Sequence, residues 1–169
     1  KLVLADPALP ERIQAMPASK LVKLINELGL EDSSAIIQFA KKDQLMQVFD
    51  EDLWFAPHRG ADEIFDGHRF SIWTEVLMEL GTKKAADTIA DLDEDLLCLG
   101  ISSIAVVTRS DWLRTASELD SRIEKLLESS LYFEIDEYIL FSKEPYAWDS
   151  MTLLISDLYE RHHDLFERV

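Results

Sequence analysis

The chain has 169 residues, of which 47% are hydrophobic and 30% are charged. This length and composition suit one folded domain with a substantial core and argue against a disordered chain. The 33 acidic residues outnumber the 17 basic ones, and the resulting net charge of -16 repels phosphate backbones and lipid headgroups. We therefore expect no nucleic-acid binding, and we expect basic proteins, basic segments or divalent cations as partners.

Cysteine usage and hydropathy indicate the compartment. The single cysteine, Cys98, excludes an internal disulfide and lies in the apolar run 96–99, where we expect a buried, inert thiol. No apolar run reaches the roughly 20 residues that a membrane span requires, and no signal peptide is visible. We expect a cytoplasmic chain that does not insert into a membrane. Because the first residue is Lys1 rather than Met, we also expect a piece of a longer protein.

A short helix is predicted over 7–16, and a first block of three short helices over about 17–49. In the first helix of the block, apolar residues recur with helical spacing, and Gly29 is the expected end of that helix. The other two helices are predicted over 32–40 and 43–49. The apolar stripe of the first helix consists of Leu21, Leu24, Ile25 and Leu28.

Residues 50–67 interrupt this pattern. They contain Pro57, Gly60 and Gly67 among large apolar side chains such as Trp54 and Phe55. Proline and glycine mark turns and loops. The sequence therefore predicts a long connector that packs onto the helices through its apolar side chains.

A second helical block is predicted over about 69–104, and it repeats the first. Its first helix ends at Gly81, which lies 52 residues after Gly29, and the same Glu-Leu-Gly motif precedes both ends. Self-similarity at a fixed offset in short helices indicates a stacked superhelical array. The apolar stripe of this helix consists of Trp73, Val76, Leu77 and Leu80.

The last third of the chain changes character. A helix is predicted over 117–128, and a β-hairpin over about 131–141, where aromatic and β-branched residues dominate. A C-terminal helix is predicted over about 146–168, with a break near His162. The sequence thus predicts a single domain over 1–169 that is mostly α-helical and has a small hairpin before its C-terminal helix.

The order of these elements resembles a known architecture. Three stretches, 21–54, 73–97 and 132–169, carry the resemblance, and together they cover more than half of the chain. They resemble the cytosolic N-domain of MgtE-type magnesium transporters, through an uncharacterised bacterial family related to it. The middle domain of the flagellar motor switch protein FliG is similar in architecture. The resemblance implies an armadillo-like right-handed superhelix and, from the transporters, a regulatory response to magnesium through acidic surface residues.

Acidic clusters are the first candidates for chemistry. The run 91–95 has the spacing that opens a calcium-binding loop, but Leu96 replaces the required glycine and Ser102 replaces the closing glutamate. A helix start with acidic residues in its first turn explains the run better. Clustered carboxylates also hold Mg²⁺ weakly, so the candidate metal ligands are Asp50, Glu51, Asp52, Asp91, Asp93 and Asp95.

Catalytic motifs find little support. His58 and His68 could serve a metal-dependent hydrolase only if another ligand met them across the fold. The sequence contains neither a nucleophile elbow nor a phosphate-binding glycine loop, and we expect no cofactor.

Aromatic residues suggest an interface. Trp112 and Trp148 lie at the edges of predicted elements, where we expect exposure, and tryptophan is a typical anchor of protein interfaces. The leading hypothesis is therefore a non-enzymatic interaction or regulatory domain that binds a protein or another domain of the same chain. A magnesium-responsive regulatory module is the alternative, and a metal-dependent hydrolase comes third.

Overall fold

The computed structural model describes residues 7–111, 128 and 131–169, and within them the protein is mostly helical with small antiparallel sheets. The helix predicted over 117–128 lies outside these residues apart from its last position. The helices are α1 (Leu9–Gln14), α2 (Ala18–Leu28), α3 (Ser34–Ile37), α4 (Lys42–Asp52), α5 (Gly67–Glu79), α6 (Thr82–Ile89), α7 (Glu94–Ile104), α8 (Trp148–Arg161) and α9 (His163–Phe166). The strands are β1 (Trp54–Phe55), β2 (Ile64–Phe65), β3 (Ala105–Arg109), β4 (Tyr132–Ile135) and β5 (Tyr138–Ser142).

Two glycines end helices where the sequence predicts it. Gly29 follows α2 with a φ of 90°, and Gly81 lies between α5 and α6 with a φ of 101°. Residues other than glycine rarely adopt such positive φ angles. Both predicted helix ends are confirmed. In contrast, α3 is shorter than its predicted range of 32–40, and α4 extends three residues beyond its predicted end at Phe49.

The core is continuous from α1 to α9 and is densest where α5 meets its neighbours. Trp73 of α5 is fully buried, and its ring meets that of Phe49 of α4 edge-on at 4.7 Å between centroids. On the other side, α5 packs closely against α7 at Gly100. A Cβ atom there would lie 2.4 Å from the ring of Phe70, so only glycine allows this approach.

The connector contains an unpredicted ribbon. Strands β1 and β2 pair antiparallel, with Trp54 opposite Phe65 and Phe55 opposite Ile64. The ring of Trp54 contacts that of Phe65 at 5.5 Å between centroids. Strands of two residues leave no periodicity in the sequence, so only their partners reveal them.

A three-stranded antiparallel sheet follows the helical blocks, in the order β3-β5-β4. Strands β4 and β5 pair antiparallel, from Tyr132 opposite Phe141 to Ile135 opposite Tyr138, and Asp136, with a φ of 52°, lies in the turn between them. The sequence does not predict β3, which pairs with β5 from Ala105 opposite Ser142 to Arg109 opposite Tyr138. One face of the sheet packs on the helical core through Leu140.

Helix α8 corrects one prediction. Trp148, at its first position, is only 5% exposed and belongs to the core, so the expectation that this ring is exposed is wrong. The reason is periodicity, because Trp148, Met151, Ile155 and Leu158 form one buried stripe with helical spacing. The second candidate anchor, Trp112, lies outside the described residues.

One amide side chain holds α1 in place. Gln44 of α4 is buried, and its Nε2 donates to the carbonyl oxygens of Ile13 at 2.8 Å and Met16 at 2.7 Å. Its Oε1 accepts from the backbone N–H of Lys41 at 2.8 Å. These bonds give donors to carbonyl groups at and just beyond the C-terminal end of α1, where no further helical turn supplies N–H groups.

Candidate functional site

Asp52, the most buried of the predicted metal ligands, has a structural role. Asp52 accepts from Nε and Nη2 of Arg69, at 2.8 and 3.1 Å, and from Nε1 of Trp73 at 2.6 Å. Its side chain is 8% exposed, and that of Arg69 is 24% exposed. Three charge-assisted bonds from two residues of α5 occupy both carboxylate oxygens. Asp52, Arg69 and Trp73, hereafter the Asp52 cluster, therefore join α4 to α5.

The other acidic candidates are dispersed. Asp91 forms an exposed ion pair with Lys42 at 2.5 Å. Asp93 accepts from the backbone N–H of Asp95 and thereby caps α7. Asp50 and Glu51 are exposed on the last turn of α4. Across residues 7–111, 128 and 131–169, no group of three or more His, Cys, Asp or Glu side chains is placed to hold a metal ion.

The histidines of the hydrolase hypothesis lie apart in the fold. His58 is exposed between β1 and β2, whereas His68 stands in the first turn of α5 with its ring 5.5 Å from that of Tyr146. His162 contacts Asp87 of α6 at 2.9 Å. The described contacts bring neither His58 nor His68 to a further ligand, so they provide no support for a zinc centre.

Cys98 is half-buried rather than fully buried, and its thiol faces the backbone oxygen of Val169 at 3.7 Å. Burial raises the pKa of this thiol, and the neighbouring carboxylates of Asp95 and Glu94 raise it further. A raised pKa keeps the thiol protonated at neutral pH, and the thiolate is the reactive form. The structure thus gives Cys98 no activation as a nucleophile.

A cleft of about 590 Å³ separates the two helical blocks and lies between α4 and α6. Its floor is apolar, and its rim mixes three lysines with two aspartates. Lys42 is paired with Asp91, and the ammonium of Lys84 donates to the carbonyl oxygen of Gln38. Burial lowers the pKa of Lys84. With most of its charges already engaged, this interblock cleft offers a ligand few polar groups.

A second groove, of about 740 Å³, runs between α7 and β3. Asp95, Cys98, Leu99 and Ser102 of α7 line it at positions i, i+3, i+4 and i+7, so they come from one face of that helix. On β3 the lining residues are consecutive, and consecutive residues of a strand point to opposite faces of a sheet. The groove therefore follows the outer edge of β3. We define the α7–β3 groove by Leu99, Ile101, Ser102, Ala105, Val106 and Val107.

Aliphatic side chains are exposed along this groove. Leu99 is 42% exposed, Val106 is 38% exposed and Val107 is 47% exposed. Single exposed apolar residues are ordinary, but three that line one groove form a contiguous patch. Such patches mark sites of protein interaction.

Charged side chains of both signs surround the α7–β3 groove, and Asp95 and Lys143 both line it. Glu94 precedes Asp95 at the exposed start of α7. Lys143 donates from Nζ to the carbonyl oxygen of Ser102, and Arg168 pairs with Glu94 at 2.8 Å, so Asp95 is the acidic group of the groove that these contacts leave available. The open side of the groove therefore favours a positively charged partner.

A model described as a family of unknown function, DUF6178, matches residues 1–169. The chain belongs to this family. No curated protein and no solved structure matches it. Membership in DUF6178 assigns no activity, so function must be argued from the arrangement of the side chains.

The described part of this DUF6178 chain contains no helix that is long and apolar enough to cross a membrane.

Sequence reasoning missed both the Asp52 cluster and the α7–β3 groove. The sequence does contain a signal for the Asp52 cluster. Asp52 lies three positions after Phe49 and four after Val48, on the buried stripe of α4. A carboxylate on an apolar stripe predicts a buried partner. For the groove, Val106, Val107 and Thr108 of β3 are β-branched, but the partner strand lies about 30 positions further along the chain.

Proposed function

We propose that this chain is a non-enzymatic interaction domain that binds another protein, or another domain of the same chain, through the α7–β3 groove. The observation that carries the proposal is the row of Leu99, Val106 and Val107, each more than a third exposed along one groove. Burying such side chains against a partner removes apolar surface from water and favours association.

The arrangement of the helices supports a rigid platform for this surface. We infer that the two blocks stack as an armadillo-like superhelix. In support, α2 packs on α4, α5 packs on both α6 and α7, and α3 contacts α5 across the blocks. A stacked array of short helices holds its surface residues in fixed positions, so a partner meets a groove that is already formed.

The charge of the chain supports a basic partner. The net charge is -16, and Asp95 lies in the groove itself. Opposite charge steers the encounter and rejects acidic competitors, whereas burial of the apolar row adds to the affinity. We therefore expect partner segments that combine lysine or arginine with aliphatic side chains.

Panning a phage-displayed library of random ten-residue peptides against the immobilised chain tests the proposal. We expect enriched peptides to carry basic and aliphatic residues and to bind less tightly at high salt, because screening weakens the charge term. In Leu99→Asp, affinity should fall by about tenfold or more, since a carboxylate then replaces an apolar contact.

Leu153→Asp is the matched control. Leu153 is a leucine of α8 that is 54% exposed and takes no part in the groove. The control adds the same charge to an exposed leucine, so peptide affinity should stay close to that of the unmodified chain. If no peptide is enriched, or if the two variants bind selected peptides equally well, the α7–β3 groove is not an interaction site.

A further inference from the structure

We propose that the α7–β3 groove takes its partner by strand addition: a basic, extended protein segment pairs with the free edge of β3 as a fourth strand. This inference rests on the proposed function and adds to it the binding mode and the conformation of the partner. In strand addition, main-chain hydrogen bonds supply affinity, and alternate side chains of the added strand supply specificity.

The register of the sheet shows which backbone groups of β3 face outward. The N–H of Lys143 donates to the oxygen of Ile104 at 2.8 Å, and that of Ser110 donates to the oxygen of Glu137 at 2.8 Å. In an antiparallel pair, hydrogen-bonded and non-bonded positions alternate, so Val106 and Thr108 bond to β5. The N–H and C=O groups of Val107 and Arg109 therefore point away from β5.

These outward groups have no strand beside them. Within the described chain, β5 is the only neighbour of β3 in its sheet, and neither backbone group of Val107 has a hydrogen-bond partner. The edge is five residues long, which corresponds to about 17 Å of extended chain. It offers a template long enough for a short peptide.

No described residue of the chain pairs with the outer edge of β3, whereas the opposite edge of the sheet carries a protective charge. Strand β4 forms that edge and carries the exposed Glu134, a charge typical of edges that avoid pairing. Arg109, the only charged residue of β3, stands at its end and is paired with Asp111 and Glu137. The centre of β3 is formed by Val106 and Val107, so the apolar groove and the unpaired backbone coincide.

The charge of the chain favours a basic segment, rather than a second copy of the chain, at the edge of β3. A second copy of this chain would bring another net charge of -16 to the same edge, and like charges would oppose pairing. A segment with lysine or arginine between aliphatic residues would place a basic side chain near Asp95. Its aliphatic side chains would contact Leu99 and Val107.

Two substitutions at one position separate strand addition from simple groove binding. Val107→Pro removes an N–H that β5 does not use, and proline is tolerated at such edge positions. Val107→Ala keeps the N–H and shortens the side chain. Using the peptides selected above, we expect Val107→Ala to lose only the affinity that the shortened side chain contributes, and Val107→Pro to bind about tenfold more weakly than Val107→Ala.

Peptide chemistry gives an independent readout that does not depend on how the proline variant folds. Methylating alternate backbone nitrogens of a selected peptide keeps its charge and side chains but blocks pairing along one edge. Methylation of one alternate set should abolish binding, and methylation of the other set should not. Hydrogen exchange at the amides of Val107 and Arg109 should slow when the unmodified peptide binds.

The possible results distinguish strand addition, simple groove binding and self-association. Equal binding by Val107→Pro and Val107→Ala, with unchanged exchange at Val107, would overturn strand addition, and the loss in Leu99→Asp would still support the groove. If Leu99→Asp binds normally, the proposed function itself fails. Sedimentation that shows a dimer dissolved by Val107→Pro would identify a second copy as the occupant and overturn the basic partner.

Discussion

The two helical blocks are joined by two ionic contacts that differ chiefly in burial. At one contact, Asp52 accepts three hydrogen bonds from Arg69 and Trp73, and its carboxylate is 8% exposed. At the other, Lys42 and Asp91 meet at 2.5 Å across the rim of the interblock cleft, with side chains 64% and 38% exposed. Both contacts run from α4 to the second block.

The difference in burial predicts a difference in energy. Exposed ion pairs typically contribute between 0 and about 1 kcal/mol, because water and salt screen them. Removing one partner of a buried pair costs far more, since the remaining charge loses both its partner and water. We therefore expect the Asp52 cluster to fix the orientation of the blocks, while the Lys42–Asp91 pair contributes little.

Replacing Asp52 should have the largest effect. Asp52→Ala should lower the free energy of unfolding by about 3 kcal/mol, because Arg69 and the indole N–H of Trp73 lose their acceptor. Urea unfolding followed by tryptophan fluorescence measures this loss. Asp50→Ala removes one exposed carboxylate from the same turn of α4 and should change stability by less than about 0.5 kcal/mol. Equal effects of the two variants would refute the structural role of Asp52.

A contact of intermediate exposure tests whether burial determines how much a side-chain contact contributes to the free energy of unfolding. Interaction with the carboxylate of Glu75, together with burial, raises the pKa of Tyr146 to about 12. The protonated hydroxyl therefore contributes stability that is complete below pH 10 and is lost as the pH rises through about 12.

Tyr146→Phe checks that window. The ring is 39% exposed, so screening should hold the contribution below about 1 kcal/mol. Unfolding free energies at several pH values between 8 and about 12 should show the unmodified chain losing its advantage over Tyr146→Phe as the pH rises. A difference that stays constant across this range would contradict the assignment.

The exposed pair should matter least among the side-chain contacts. Lys42→Ala should change the free energy of unfolding by less than about 0.5 kcal/mol, and 1 M salt should erase even that. Lys83→Ala, which removes a lysine from the same rim, is the matched control. A loss above about 1.5 kcal/mol in Lys42→Ala alone would show that the two contacts are equivalent after all.

Magnesium should produce no specific effect. Asp52 and Asp91 are already bonded to Arg69 and Lys42, and Asp93 caps α7. Thermal unfolding with millimolar Mg²⁺ should therefore match unfolding at equal ionic strength without it. A higher midpoint in Mg²⁺ alone would revive the magnesium-responsive hypothesis.

Helical periodicity and helix-ending glycines predict much of the helical part of the fold. They predict little of the strands and contacts that connect the helices. Gly29 and Gly81 were recognisable because their backbone angles exclude most other residues. The length of α3, the partner of β3 and the burial of Trp148 depend on contacts with distant residues, which propensity does not contain. For the same reason, the acidic run 50–52 suggested a metal site, although one of its three carboxylates turns inward to Arg69.

The bonds from Gln44 to α1 have a consequence for how the chain opens. A helix of six residues is too short to persist alone in water, so α1 needs contacts with the rest of the chain, among them the burial of Leu9 and Ile13 and the two bonds from Gln44. Substituting Gln44 by Glu would set a carboxylate against two carbonyl oxygens. Helix α1 would then unfold locally while the remaining helices stayed folded. Hydrogen exchange would detect this as faster exchange of backbone amides confined to the N-terminal segment.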